Sequence, residues 1–308
     1  MTILFMEWLE AARMARIRIA HTTEYTYRNA VGLTRHRLLL RPDESHDLHL
    51  HKAELEVDPP PSAVHWKHDV FDNAICYLNW PEALRTDRLR IVSTLDLTHH
   101  PEGPPVPRYS LDPEAAQFPF TYGPHEAADL AHLAQPSSPD TDGAVVAWAR
   151  RTAAAAGTTD TLAVLEAMTH AIKAEFRYNA RYEVGTQTAA QTLALGSGTC
   201  RDFAVLMIEA LRSCGVAARF VTGYVYDNEW GTTRGGGSTH AWCSVYLPGA
   251  GWVEYDPTNG LIAGANLVRV GVAREAAQAS PVSGGFFGRA DDAIGLYVDV
   301  SVSAAPNR

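Results

Sequence analysis

Residues 196–206 read Gly-Ser-Gly-Thr-Cys-Arg-Asp-Phe-Ala-Val-Leu. Two glycines this close make a tight turn, and the residues after it read as a helix. Thr199 suits the N-cap, and Asp202 three residues on resembles a capping box with Asp in place of Glu or Gln. The run continues through Phe203-Ala-Val-Leu-Met-Ile-Glu-Ala-Leu-Arg-Ser to Gly215, a residue that ends helices. It is apolar on nearly all sides, which predicts a helix at the centre of a domain. Cys200 falls in its first turn. A thiol there meets unpaired backbone N–H groups and the positive end of the helix dipole, a setting that suits a nucleophilic sulfur.

The chain has 308 residues, which at ~150 residues per domain implies about two domains. Net charge is −9, and no run of Lys or Arg is long enough to follow a phosphate backbone. Nucleic acid is therefore excluded as a partner. No apolar run approaches the roughly 20 residues that span a bilayer, so no membrane role is expected. Residues 1–13 carry Glu7 and Glu10 and lack a basic start, so they read as an N-terminal extension rather than a signal peptide. Cys76, Cys200, Cys214 and Cys243 are widely spaced, with no CxxC pair. That pattern predicts free thiols in a reducing cytoplasm.

Residues 14–100 alternate like strands. Arg16–Tyr27, Leu38–Arg41, Leu48–Val57, Val64–His68, Ala74–Leu78 and Leu89–Leu97 are separated by Asp, Asn and Pro breakers, which predicts an antiparallel β-sandwich. Residues 99–140 hold nine of the eighteen prolines. The stretch 101–140 reads as a proline-rich connection with a short helix near Ala127–Ala134. Residues 141–308 then mix helices and strands and form the second unit. Helices are expected over Asp142–Ala156, from Asp160 to Phe176 and over Thr188–Leu195. Strands are expected over Ala217–Tyr226, Thr239–Leu247 and Trp252–Asp256, with a polar glycine loop at Asn228–Ser238. Residues 266–272 and 295–302 read as late strands. The class is α+β.

Two further polar residues stand at telling places. His240 begins a strand, and Asp256 ends the next one. A cysteine nucleophile needs an imidazole partner, and that ring needs a third group to fix its tautomer. Antiparallel neighbours bring the start of one strand to the end of the next, so the two can meet. Register decides whether they do. A plain four-residue turn pairs Leu247 with Trp252 and puts His240 and Asp256 on opposite faces. A shared face requires a bulge or an odd shift between these strands.

The stretches Gly198-Thr-Cys-Arg-Asp-Phe-Ala204, Ala218-Arg-Phe-Val-Thr-Gly-Tyr224, His240-Ala-Trp242 and Gly251-Trp-Val-Glu-Tyr-Asp-Pro-Thr-Asn259 resemble the core of the bacterial transglutaminase-like family. His21–Tyr27 with Arg37–Pro42 resembles the β domain that precedes that core. The likeness covers roughly residues 15–305. It implies a papain-like fold, a central helix packed on an antiparallel sheet, behind an N-terminal β-sandwich. It also implies a Cys-His-Asp triad with Cys200 as nucleophile, His240 as general base and acid, and Asp256 as orienting carboxylate. Arg201 stands where family members commonly have Gln, and Ala273-Arg-Glu-Ala276 replaces a late Gly-Arg-Asp-Tyr segment.

The backbone N–H of Cys200 is a natural oxyanion donor, and Gln191 or Tyr178 is a candidate second one. Trp242, Trp252 and Trp230 are candidates for lining a substrate tunnel. His46, His49, His51, His65 and His68 bring no Cys or carboxylate pattern that would close a metal site, so no metal and no other cofactor is expected. The reading is acyl transfer from a peptide or protein amide, with hydrolysis favoured. The alternatives are transfer to an amine, or a binding protein that keeps the fold without turnover.

Overall fold

The computed structural model describes residues 15–100, 111–180, 185–226, 239–262 and 266–305. The expected extension at 1–13, the first part of the proline-rich connection and the glycine loop at 228–238 lie outside the described residues.

The N-terminal alternation becomes β1 (Ala15–Leu33), β2 (His36–Leu38), β3 (Leu48–Asp58), β4 (Ala63–His68), β5 (Ala74–Asn79) and β6 (Thr86–His99). β3, β6 and β1 are antiparallel neighbours in one sheet, and β2, β5 and β4 in another. Tyr27, Val31, Leu89 and Ile91 from the first pack with Leu38, Cys76 and Leu78 from the second, and with Leu40 just past β2. Period-two alternation delivers this, because every second side chain faces the partner sheet.

Among its described residues the connection carries one α-helix, α1 (Pro124–Leu130). It is tied down by an ion pair buried in the core. Arg212 and Glu209 lie 3.0 Å apart, and their side chains are 1% and 5% exposed. Arg212 also donates to the Leu133 carbonyl at 3.0 Å and to Ser137 Oγ at 2.7 Å, while Glu209 accepts the N–H groups of Ser137 and Ser138. Burying two charges is tolerable here because the remaining donors and acceptors are filled by the connection and by the Ala218 and Arg274 carbonyls.

α2 (Ala144–Ala155) and α3 (Thr161–Glu175) follow. Asp160 caps α3 by accepting the Ala163 N–H at 3.0 Å. A two-residue ladder, β7 (Arg177–Tyr178) with β8 (Ser197–Gly198), brackets α4 (Ala189–Leu195). Then comes α5 (Cys200–Ser213), buried on nearly all sides from Asp202 to Arg212. It stops where Gly215 takes a φ of +79° and Val216 N–H reaches back to the Leu211 carbonyl at 3.0 Å. α5 lies against β9 (Ala218–Val225) and β10 (His240–Leu247), which continue into β11 (Gly251–Asp256), β12 (Leu261–Ile262) and β13 (Leu267–Ala273). The sheet order is β12-β11-β10-β9-β13.

One boundary changes. The last strands do not stay with the second unit, as the span 141–308 implied. β14 (Val282–Ser283) pairs with β2, β15 (Phe286–Phe287) with β1, and β16 (Ala293–Ala305) with β1 from Arg16 to Tyr27. Local alternation reports that a segment is a strand and which face is apolar. It does not name the neighbour.

The two parts share one continuous apolar core, from Ile17, Ile19 and Leu97 to Phe203, Met207 and Val268. Asn73 pairs with β13 as a strand residue would: its Nδ2 donates to the Val272 carbonyl at 2.7 Å, and its Oδ1 accepts the Val272 N–H at 2.8 Å. Gly271 is needed at this seam, since a Cβ there would come within 2.7 Å of Leu39 Cδ2. His21 and His99, both buried, face the Tyr224 and Tyr226 hydroxyls at 3.0 and 3.2 Å.

Two outcomes are expected. Glu209→Ala leaves the Arg212 charge buried without its carboxylate and should cost about 3–5 kcal/mol in denaturant unfolding. Burial lowers the His21 and His99 rings to about 4. The unfolded rings titrate near ~6.5, so stability is full above that pH and falls as pH drops toward about 4. His21→Gln should flatten that acid limb in melting curves.

Candidate active site

The connection between β10 and β11 sets the geometry. Ala250 N–H bonds the Leu247 carbonyl at 2.9 Å, and Gly249, after Pro248, takes a φ of +84°. Pro then Gly with positive φ is the pattern of a type II turn. Gly251, with a φ of +72°, opens β11. The pairing is therefore Leu247 with Gly251 and Cys243 with Tyr255. This is the odd shift that a shared face requires. It is made at the turn, and the pairs from Leu247 to Cys243 run without a bulge.

His240 and Asp256 consequently meet. His240 Nε2 lies 2.8 Å from Asp256 Oδ2, with both side chains fully buried. The ring stacks on Trp242 at 5.9 Å between centroids. Its other nitrogen, Nδ1, is buried without a formed hydrogen bond. The thiol of Cys200 is the remaining group whose charge and hydrogen-bonding capacity act on the ring. Burial opposes a charge on His240, but Asp256 outweighs it and Cys200 adds to the effect, so the ring is raised to about 10. Asp256 is likewise opposed by burial, and the His240 charge and its hydrogen bonds hold it below the usual carboxylate range.

The start of α5 is fixed by a second buried carboxylate. Asp202 Oδ2 accepts the N–H and hydroxyl of Thr199, both at 2.8 Å, which is the reciprocal arm of the expected cap. Its Oδ1 accepts the Gln187 N–H at 2.7 Å, tying the chain before α4 to the helix tip. Cys200, half-buried, comes directly after Thr199. Tyr178 stands opposite Gly198 in the short parallel ladder, two residues from Cys200. Burial pushes its phenol up to about 12, and Cys200 adds to the rise.

Other expectations change. Gln191 is exposed, and its carboxamide oxygen accepts the Thr188 N–H at 2.8 Å; it caps α4 and is not an oxyanion donor. The glutamine packed at the Gly198 strand is Gln187, whose oxygen accepts the Thr192 hydroxyl at 3.0 Å. Trp242 is wholly buried among Val221, Val225 and Leu267, which makes it core and not the wall of an open tunnel. Trp252 is half-buried, with the Arg219 guanidinium 3.9 Å above its ring and Tyr246 at its edge. Trp230 lies outside the described residues. His49 bonds Glu44 at 2.7 Å and packs on His51, and among the described residues no three His, Cys, Asp or Glu side chains gather as metal ligands. No helix among them is long and apolar enough to cross a membrane.

Asn259 was missed. Its Nδ2 donates to Asp256 Oδ2 at 2.8 Å and lies 3.5 Å from His240 Nε2. In the sequence it closes the family-like stretch Gly251–Asn259, and Pro257-Thr-Asn-Gly260 reads as an ordinary turn.

The sign of the His240 shift gives a test. A raised imidazole stabilises the fold fully below ~6.5, and that contribution is lost as pH rises toward about 10. The lowered Asp256 adds stability above its unfolded value, near ~3.9. Asp256→Asn should therefore reduce the melting temperature most between these limits, and the deficit should shrink toward pH 10.

Comparison with known proteins shows the same division. Residues 147–257 match the transglutaminase-like superfamily, and residues 17–98 match the bacterial transglutaminase-like N-terminal region. An uncharacterized protein of Mycobacterium tuberculosis is 28% identical over 298 residues, covering 94% of this chain and 93% of that protein. An uncharacterized protein of Mycobacterium leprae is 36% identical over 107 residues, 34% of this chain and 37% of that one. A crystal structure from Cytophaga hutchinsonii, named provisionally as a cysteine protease, superposes with a TM-score of 0.66 at 20% identity, covering 94% and 90% of the two chains. The two regions, matched in order, mean that this chain belongs to the transglutaminase-like superfamily, in its form with the bacterial N-terminal region.

Proposed function

We propose that the protein is a cysteine-dependent acyl-transfer enzyme acting on peptide or protein amides, with Cys200 as nucleophile, His240 as acid and base, and Asp256 as orienting carboxylate. The observation that carries this reading is the buried His240 ring, gripped by Asp256 at Nε2 and acted on by Cys200. In the first step the Cys200 sulfur attacks the amide carbonyl. The oxyanion rests on the Cys200 N–H and the Tyr178 hydroxyl, which the high phenol pKa keeps protonated as a donor. His240 gives its Nδ1 proton to the leaving amine, and a thioester remains. Part of the ring's basicity came from Cys200. Once the sulfur is acylated that part is gone, and the neutral imidazole can take a proton from the incoming water. Water attack returns the acid and the free thiol.

Hydrolysis is favoured over amine transfer because water is always present and nothing among the described residues marks an amine site. The same reading places the protein in a reducing compartment, where Cys76, Cys200, Cys214 and Cys243 stay free.

The experiment is thiol labelling with iodoacetamide at pH 6, then intact mass and peptide mapping. Burial pushes Cys76 up to about 11 and raises Cys214 and Cys243 as well. One adduct is therefore expected, on Cys200. Cys200→Ala should lose both the adduct and all turnover of a peptide library while melting as the parent does. Acid products mean hydrolysis, and amide products with an added amine mean transfer. Equal labelling of all four cysteines, with no turnover, would favour a binding protein.

A further inference from the structure

We propose that Asn259 is a positioning residue for the His240–Asp256 pair, completing the carboxylate's hydrogen bonds beside the ring, and that Lys173 on α3 holds Asn259 in place. The inference rests on the reading of Cys200, His240 and Asp256 as the reacting group.

A carboxylate has about four acceptor positions. Asp256 uses all of them. Its Oδ1 accepts the Thr258 N–H at 2.9 Å and the Asn259 N–H at 3.3 Å. Its Oδ2 takes His240 Nε2 and Asn259 Nδ2, each at 2.8 Å. The two backbone donors come with the turn, whatever side chains it carries. Among the described residues, the Asn259 amide is therefore the side chain besides His240 that decides how this carboxylate points. It also flanks the ring, 3.5 Å from Nε2, so a swing of the imidazole off Oδ2 runs into the amide.

The turn that carries Asn259 is itself held at both ends. Gly260 N–H closes it on the Asp256 carbonyl at 2.8 Å, and Gly260 takes a φ of +67°. Lys173 Nζ donates to the Asn259 carbonyl at 2.8 Å. A side chain at Gly260 would press within 2.9 Å of Lys173 Cδ and 3.1 Å of His170. Helix α3 thus fits the turn closely and passes its position to Asp256.

Chemistry explains why Asn stands here. An apolar side chain would leave Oδ2 one donor short in a place without solvent. A carboxylate would sit against Asp256, and two like charges at that distance cannot both ionise. An amide donates without adding charge. Among the described residues, the charged groups that act on His240 are Asp256 on β11 and Cys200 on α5; Cys200, Arg201 and Asp202 on α5 act in turn on Tyr178 of β7, and Lys173 and His170 on α3 face the turn that carries Asn259.

The test compares Asn259→Ala, Asn259→Ser and Asn259→Asp in the full chain. One readout is the His240 ring titration by NMR in a Cys200→Ala background, which needs no substrate. The other is the pH profile of kcat/KM on a peptide that the parent cleaves. Asn259→Ala should lower the His240 titration by about one unit and reduce kcat/KM by about 10–100-fold, as small misplacements of a reacting group do. Asn259→Ser, which keeps a short donor, should restore part of both. Asn259→Asp should lose rate while the His240 titration moves up. Lys173→Met should move both readouts as Asn259→Ala does, but less. A folded Asn259→Ala with an unmoved titration and an unmoved pH profile overturns the inference and leaves the proposed activity standing. A moved titration in a protein that turns over no peptide supports the positioning role and defeats the activity instead.

Discussion

The register of β10 against β11 is the constraint on which the site depends. Side chains alternate along a strand, so a slip of one residue would carry His240 to the face away from Asp256. The slip is prevented by Pro248-Gly-Ala-Gly251, where Gly249 and Gly251 both take positive φ. Only residues without a Cβ adopt that conformation without strain. A short turn far from the sulfur thus decides which carboxylate meets the imidazole.

What that register creates is a charged pair with no solvent around it. Burial works against both His240 and Asp256, and the pair persists as ions because each partner is bonded. Asp256 is satisfied on every side by His240, Asn259 and the turn's own N–H groups. The same logic appears twice more. Asp202 is buried and filled by Thr199 and Gln187, and Glu209 by Arg212 and the backbone of the connection. Three buried carboxylates therefore fix the start of α5, its far end, and the strand that faces it. Each exchanges solvent for backbone donors from a segment that would otherwise be loose.

The N-terminal sandwich is part of this support. It grips β13 through Asn73 and Leu39, β9 through His21, and Tyr226 just past β9 through His99. β9 is the strand that pairs with β10 at His240 itself, opposite Gly223. The sandwich holds the edge of the sheet on which the imidazole sits, and β16 closes it by pairing with β1. The shared apolar core makes the two parts one packed body and not two units on a tether.

Much of this was legible along the chain. The strands of the sandwich, the helix starts near Asp160 and Thr188, the central helix from Cys200 and the need for an odd shift before Asp256 all come from local patterns: alternation, helical spacing, glycines. Those signals act over a few residues, and a sequence displays them directly. Partners and side-chain company are different. That β16 returns to β1, that Trp242 is core, that Gln191 caps its own helix while Gln187 packs at Gly198, and that Asn259 completes Asp256 depend on segments far apart in sequence meeting in space. Burial, and the pairing it forces on polar groups, is a property of the assembled molecule. The residue types set which chemistry was available; the packing chose which of them it would be asked of.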